Sequence, residues 1–155
     1  MENHGKYGRF IYARDDDGSL RVNLFIASEL DWKERGVKVA QQTTFPDEPR
    51  TRLALTLQTP QKFGLRVRHP AWLAADKMSI HVNDEPVTVD SAPSSYATIE
   101  REWQNGDRIE IDLPMRTKLE RLPDNSNYAA VMHGPVLLAA KTDTKDLDGL
   151  VASDG

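Results

Sequence analysis

The chain contains no cysteine in its 155 residues. This absence excludes disulfide bridges, thiolate zinc sites and a cysteine nucleophile within these residues. Long apolar runs are missing as well, because no segment approaches the roughly 18 apolar residues that a transmembrane helix needs. The opening "MENHGKYGRF" lacks the basic and apolar regions of a secretion signal. We therefore expect a soluble chain without a membrane partner, and its localisation stays unknown.

The chain also has no large excess of either positive or negative charge. Acidic residues number 24 and basic residues 20, and the net charge of −4 is spread along the chain. Binding to nucleic acid requires a basic cluster that neutralises several phosphates, and no segment supplies one. Nucleic acid is therefore not an expected partner. Hydrophobic residues make up 39% of the chain and charged residues 28%, which is typical of a folded globular domain.

Alternation of apolar and polar residues dominates the chain, whereas helical periodicity is scarce. In residues 53–57 and 63–67 every second side chain is large and apolar. Such segments recur at intervals of roughly ten residues, separated by Gly, Pro, Asn and Asp. This pattern predicts an all-β fold, an antiparallel and jelly-roll-like two-sheet β-sandwich of about ten strands. We assign residues 10–141 to the sandwich domain, 1–9 to an N-terminal extension and 142–155 to a flexible C-terminal tail.

Turn sequences indicate how the strands connect. Asp-Gly and Asn-Gly predict turns at residues 15–18 and 105–107, and Asn-Asp-Glu-Pro predicts a turn at residues 83–86. Each turn is expected to close a hairpin between the strands on either side. The strand that follows the first turn is expected to run through residues 20–27.

Glu100 and Glu102 form the candidate catalytic pair. A two-carboxylate glycosidase holds its carboxyl groups about 5 to 10 Å apart, and residues two apart on a strand share one face. The surrounding "TIEREW" alternates so that both acids most simply face water. The four histidines lie in separate segments without metal-ligand spacing, and no Gly-x-Ser-x-Gly elbow is present. The sequence therefore shows no assembled catalytic site and no metal-binding motif, and we assign no catalytic or metal-binding residue.

Three tryptophans are candidates for stacking on a sugar ring, since an indole face suits the apolar face of a pyranose or furanose. A tryptophan equally fills the seam between two sheets, and Trp103, in a strand, is expected in the core. Trp32 and Trp72, which we place in loops, are the carbohydrate-binding candidates together with His69. In "RVRHPAW", Pro70 ends the ladder after His69, so this segment is predicted to cross from one sheet to the other, with Trp72 capping the core.

Several segments together resemble a known family. "VNLFIAS", "QQTTFP", "FGLRVRHPAWL", "VND", "YATIEREWQNGDRIEIDLPM" and "AAVMHGPVLLAAK" occur in this order within residues 10–141. They are similar to the C-terminal β region of the β-L-arabinofuranosidase family, glycoside hydrolase family 127 (GH127). That family has an (α/α)6 catalytic barrel followed by β-sandwich domains, and its retaining mechanism uses a zinc-held cysteine nucleophile and a glutamate acid.

The resemblance implies a non-catalytic accessory β-sandwich of a glycoside hydrolase that acts on arabinofuranosides. Because the chain has no cysteine, none of the family's catalytic or zinc-binding residues can be carried onto it, and no cofactor is expected here. The implied partner is the catalytic barrel of the same parent chain, and a homodimer through an uncovered sheet face is a second expectation. Either partner requires an exposed apolar or aromatic patch. A carbohydrate-binding module that uses an exposed tryptophan is the alternative function, and an enzyme that uses Glu100 or Glu102 is a third.

Overall fold

The computed structural model describes residues 8–121 and 128–139. The chain divides into two compact units, Met1–Arg116 and Thr117–Gly155. We refer to them as the sandwich unit and the C-terminal unit. The proposed domain limits at residues 10 and 141 stay predictions, and the predicted tail at 142–155 lies outside the described residues.

Thirteen strands make up the regular structure of the described residues. The all-β prediction is confirmed, and the strand count exceeds ten partly because alternation did not reveal strands β3 and β11. A 3-10 turn, Lys33–Arg35, follows β3. The strands are β1 Tyr12–Arg14, β2 Leu20–Val22, β3 Ser28–Trp32, β4 Val37–Thr43, β5 Arg50–Leu57, β6 Gln61–Arg68, β7 Ser79–Val82, β8 Glu85–Val87, β9 Tyr96–Trp103, β10 Arg108–Asp112, β11 Thr117–Arg121, β12 Ala129–His133 and β13 Val136–Leu138.

The sandwich unit contains a four-stranded sheet in the order β1-β2-β6-β9 and a six-stranded sheet in the order β3-β4-β5-β10-β7-β8. Neighbouring strands are antiparallel except β2 and β6, which run parallel. Burial alternates along β5, where Leu53 and Leu55 are each 1% exposed and Arg52 and Thr56, on either side of them, are exposed. The inner faces of both sheets contribute to one apolar cluster, which is the core of the sandwich.

Two predictions about the strands are wrong: one hairpin connection and the length of one strand. Strands β9 and β10 do not form a hairpin, because β9 pairs with β6 whereas β10 pairs with β5 and β7. The turn at Asn105–Asp107 bonds to β5 instead: Gly106 N donates to Leu55 O at 2.9 Å, and Leu55 N donates to Asp107 O at 2.9 Å. The strand expected over residues 20–27 ends at Val22, since the chain then leaves the four-stranded sheet to begin β3 in the other one.

The other turns lie where the sequence predicts them. In the first hairpin, Ser19 N donates to Asp17 Oδ1 at 2.9 Å, and the bonds from Ser19 lower the pKa of Asp17. In the second, Asn83 and Asp84 have φ of 52° and 68°, the left-handed values of a type I′ turn. Pro86 lies in β8 at the edge of its sheet, where the missing N–H removes no ladder bond from a central strand.

The outer faces of both sheets are charged. On the six-stranded sheet, Arg50 pairs with Asp112 at 2.6 Å and Arg52 pairs with Glu110 at 2.7 Å. On the four-stranded sheet, Arg66 contacts Asp15 and Asp17. The apolar patch expected on a sheet face is therefore absent from the described outer faces of the sandwich unit. Within the described residues, no helix is long and apolar enough to cross a membrane.

The C-terminal unit contains a three-stranded antiparallel sheet in the order β11-β12-β13. Leu119 lies opposite Val131, and Val131 lies opposite Leu138, so the three side chains form one row across the sheet. Their exposed fractions are 72%, 37% and 46%. We refer to these three residues as the apolar row.

Candidate binding groove

An open groove of about 750 Å³ lies on the sandwich unit. Its lining comes from five separate parts of the chain: Phe10 before β1, β2 with the segment after it, the segment after β4, the end of β6 with the crossover after it, and the start of β9. The residues that determine its chemistry are Arg21, Asn23, Phe45, Arg68, Trp72 and Tyr96. No short stretch of sequence contains them together, so no linear motif could have indicated the groove.

One side of the groove is aromatic. The rings of Phe45 and Trp72 are stacked, with centroids 6.1 Å apart and planes inclined by 16°. Phe25 meets Phe45 edge-on at 5.9 Å. All three rings also pack against the core of the sandwich. Because the core fixes their positions, the rings present a preformed apolar surface to the groove.

The other side of the groove is polar and is organised around Tyr96. The Tyr96 hydroxyl donates to Asn23 Oδ1 at 2.7 Å and accepts from Arg68 Nη1 at 3.3 Å. The guanidinium carbons of Arg21 and Arg68 lie 4.7 and 5.4 Å from the centroid of the Tyr96 ring. Both distances fall within the range of cation–π attraction, so the ring holds both guanidinium groups in place.

The charge of the groove is positive. None of its described lining residues is Asp or Glu. Arg21 forms an ion pair with Asp15 at 2.6 Å, whereas Arg68 has no carboxylate within ion-pair distance among the described residues. The groove therefore contains one guanidinium group whose charge these residues leave without a counter-charge.

Of the three predicted sugar-binding residues, Trp72 lines the groove. It is partly buried and caps the core, as the sequence predicts for the crossover from β6 to β7. Trp32 lies elsewhere, and its placement in a loop is wrong, because it is the last residue of strand β3. It is 8% exposed and meets Phe63 edge-on at 5.7 Å. The role of both residues in carbohydrate binding stays a prediction.

His69, the third predicted residue, is completely buried. Its Nε2 lies 3.2 Å from Leu73 O, and its Nδ1 lies 2.7 Å from Ser91 Oγ. A carbonyl oxygen can only accept, so Nε2 carries a hydrogen and, in the neutral ring, Nδ1 accepts from Ser91. His69 thus joins the crossover after β6 to the loop before β9. Its predicted contact with carbohydrate stays untested.

The remaining candidates lie outside the groove. Trp103 is fully buried, and its Nε1 donates to Phe63 O at 2.9 Å, which confirms its expected place in the core. Glu100 and Glu102 are both exposed on the outer face of β9, which confirms the solvated-face interpretation. Among the described residues, no group of three or more His, Cys, Asp or Glu side chains is suitable for a metal ion. The zinc that the family resemblance implies for the parent enzyme stays a prediction.

Comparison with known proteins identifies relatives of both units. Residues 19–115 match the sequence model of the β-L-arabinofuranosidase GH127 middle domain, and residues 118–155 match a domain of unknown function, DUF4986. No curated protein matches the chain.

Solved structures with similar folds include a glycoside hydrolase, with a TM-score of 0.73 and 28% identity over 85% of this chain. The GH127 β-L-arabinofuranosidase from Geobacillus stearothermophilus T6 has a TM-score of 0.72 and 28% identity over 84% of this chain. A further GH127 β-arabinofuranosidase has a TM-score of 0.70 and 25% identity over 83%. The chain spans only 23%, 21% and 23% of the lengths of these three proteins.

Proposed function

The chain belongs to the family of the GH127 β-L-arabinofuranosidase middle domain, and we propose that it is a non-catalytic β-sandwich domain that supports the catalytic barrel of a parent enzyme. The parent would act on arabinofuranosides, as the names of two similar solved structures state for those proteins. The cysteine nucleophile that the family resemblance implies would come from the barrel, since this chain has no cysteine.

The observation that carries this proposal is the apolar row of the C-terminal unit. Leu119, Val131 and Leu138 are in register on three adjacent strands and are exposed. Each such side chain contributes about 1.5 to 3 kcal/mol when it is fully buried. Contiguous exposed apolar surface of this kind is typical of a protein interface. A row of apolar side chains across a sheet can pack against the surface of another domain.

The extent of the structural match supports the same conclusion. A match over 85% of 155 residues covers about 132 residues, which is more than the 116 residues of the sandwich unit. The similar glycoside hydrolase therefore contains at least part of the C-terminal unit as well. The matched residues make up only 23% of that relative's chain, as expected for a domain that accompanies a larger enzyme.

Binding to the catalytic domain can be tested by mixing two polypeptides. The parent's catalytic domain and this chain would be produced separately and analysed by size-exclusion chromatography and thermal denaturation. We expect one co-eluting complex and a higher melting temperature of the catalytic domain. Val131→Asp, in the middle of the apolar row, is expected to abolish co-elution, because a buried carboxylate without a partner is unfavourable.

Thr98→Asp is the matched control, since it adds the same charge at an exposed position of β9 on the sandwich unit. Equal loss of binding in both variants would argue against the apolar row as the interface. Dimerisation of this chain alone, prevented by Val131→Asp, would replace the barrel with a second copy as the partner. Hydrolysis of a chromogenic arabinofuranoside by this chain alone, lost in Glu100→Gln, would overturn the non-catalytic assignment.

The alternative function, a carbohydrate-binding module, is favoured by a separate observation. Trp72 lies beside an open groove that also contains hydrogen-bonding side chains. Carbohydrate binding and support of a barrel use different surfaces of this chain, so one does not exclude the other.

A further inference from the structure

We propose that the groove beside Trp72 binds a sugar that carries a carboxylate, such as a hexuronic acid residue. Phe45 and Trp72 would contact the apolar face of the ring, and Arg68 would bind the carboxylate. This inference does not rest on the proposed support of a catalytic barrel, because it concerns the sandwich unit alone.

The size and the aromatic side of the groove fit a sugar ring. A volume of about 750 Å³ lies within the range of small-molecule sites in proteins, roughly 300 to 1,000 Å³. The parallel rings of Phe45 and Trp72 both line the groove, and the C–H groups on one face of a sugar ring pack well against an aromatic ring. A mono- or disaccharide would therefore cover this side of the groove.

Arg68 selects for a negative charge. It is outward-facing at the end of β6 and lies beside the Tyr96 ring, with one hydrogen bond to the Tyr96 hydroxyl. A guanidinium group has five N–H donors, so most of its donors are not used by that bond. Two parallel N–H groups match the two oxygens of a carboxylate, which makes arginine the preferred partner of this anion.

The neighbouring polar groups position Arg68 and also narrow the choice of ligand. Asn23 accepts from the Tyr96 hydroxyl and donates to Phe10 O at 3.1 Å. Asn23 therefore fixes the hydroxyl group to which Arg68 donates. Arg21 already has Asp15 as its counter-charge. One guanidinium group without a counter-charge suits one carboxylate group of a ligand, whereas a polyphosphate requires several cationic or backbone donors.

Titration of the 155-residue chain with trigalacturonic acid tests the proposal. A change in tryptophan fluorescence on ligand binding reports mainly on Trp72, because Trp72 lines the groove whereas Trp32 and Trp103 are buried elsewhere. We expect saturable quenching with a dissociation constant of roughly 1 mM or below. The fully methyl-esterified trisaccharide has the same sugar rings and linkages without the charge, and we expect it to bind about tenfold more weakly.

Three variants separate the contributions of charge and ring. Arg68→Gln is expected to weaken binding of the acid about tenfold and to leave binding of the ester unchanged. Lys62→Gln removes the same charge from an exposed position of the same strand, about 20 Å away at 3.3 Å per residue, and we expect a change of less than about twofold. Trp72→Phe retains an aromatic ring, so calorimetry should still detect binding while the fluorescence change is lost.

Several outcomes would overturn the proposal. These are the absence of saturable binding at about 10 mM, equal affinity for the acid and its ester, or equal loss of affinity in Arg68→Gln and Lys62→Gln. An acidic peptide that displaces the trisaccharide and binds more tightly would instead identify the groove as a protein-docking site.

Discussion

His69→Ala is expected to destabilise the sandwich unit strongly, because His69 holds two loops together from a buried position. The substitution removes the donor to Leu73 O, a buried bond, and the partner of Ser91 Oγ, which is only partly buried. A buried polar group left unpaired costs about 1 to 3 kcal/mol, and the lost ring leaves a cavity that costs about 1 to 2 kcal/mol more. The expected loss is roughly 4 kcal/mol, a large part of the 5 to 15 kcal/mol typical of a folded protein.

Urea denaturation followed by tryptophan fluorescence measures this loss, because Trp32, Trp72 and Trp103 all lie in the sandwich unit. With a denaturant slope of about 2 kcal/mol per molar, the midpoint should fall by roughly 2 M without a change in slope. His69→Gln keeps an N–H near the position of Nε2, so we expect it to recover about half of the loss.

His81→Ala is the matched control for this prediction. His81 lies on the outer face of β7, and its buried Nδ1 has no hydrogen-bond partner among the described residues. Its removal should cost less than about 1 kcal/mol. If His69→Ala were no more destabilising than His81→Ala, the structural role assigned to His69 would be refuted.

Three further predictions concern single positions of the sandwich unit. Burial raises the pKa of Tyr12 above its ordinary value of 10.0, although a hydrogen bond with Ser28 opposes the shift. The contribution of Tyr12 to stability should therefore be complete below pH 10 and fall as the pH rises further. Tyr12→Phe should flatten this alkaline decline in urea midpoints, and an unchanged slope would contradict the assignment. Gly64→Ala should cost about 1 to 2 kcal/mol, because the added Cβ would lie 2.7 Å from Ser19 Oγ. Adding Ser19→Ala should recover part of that cost, whereas strictly additive effects in the double-mutant cycle would show that the two sites do not meet. Asp84→Gly should stabilise the protein by about 0.5 to 1 kcal/mol, because only glycine adopts positive φ without cost, and Asp84 has φ of 68°. A lower melting temperature in a thermal scan would show that the Asp84 side chain makes a stabilising contact.

Most of the strands could be predicted from the sequence, but several of their partners could not. Alternation in residues 53–57 and 63–67 depends on which face is buried, so it revealed β5 and β6 directly. It carries no information about which strand lies alongside. Asn105–Asp107 has the sequence of a hairpin turn, yet its backbone groups bond to Leu55 of β5. The competing bonds come from a strand about 50 residues away in the sequence, where local turn rules do not apply.

Local sequence patterns carry no information about distant neighbours, and for this reason the sequence did not reveal the role of Arg68 in the groove. The indole of Trp72 could be singled out because tryptophan is rare and suits both a core and a sugar. Arg68 gave no such signal, since arginine at an outward-facing strand position is ordinary. Its significance depends on Tyr96, which lies opposite it on β9, and on the absence of acidic side chains from the described lining. Only the folded chain brings these facts together.

Trp72 contributes to the core as well as to the groove, and this limits which variants can test ligand binding. Trp72 packs against the core as well as lining the groove, so Trp72→Ala should lower stability by on the order of 3 kcal/mol. Loss of binding in that variant would therefore not distinguish a lost contact from an unfolded loop. Arg68 is outward-facing, and its described contacts are with the side chain of Tyr96. Because Arg68→Gln removes charge without opening the core, a binding defect in that variant with an unchanged urea midpoint can only come from the groove.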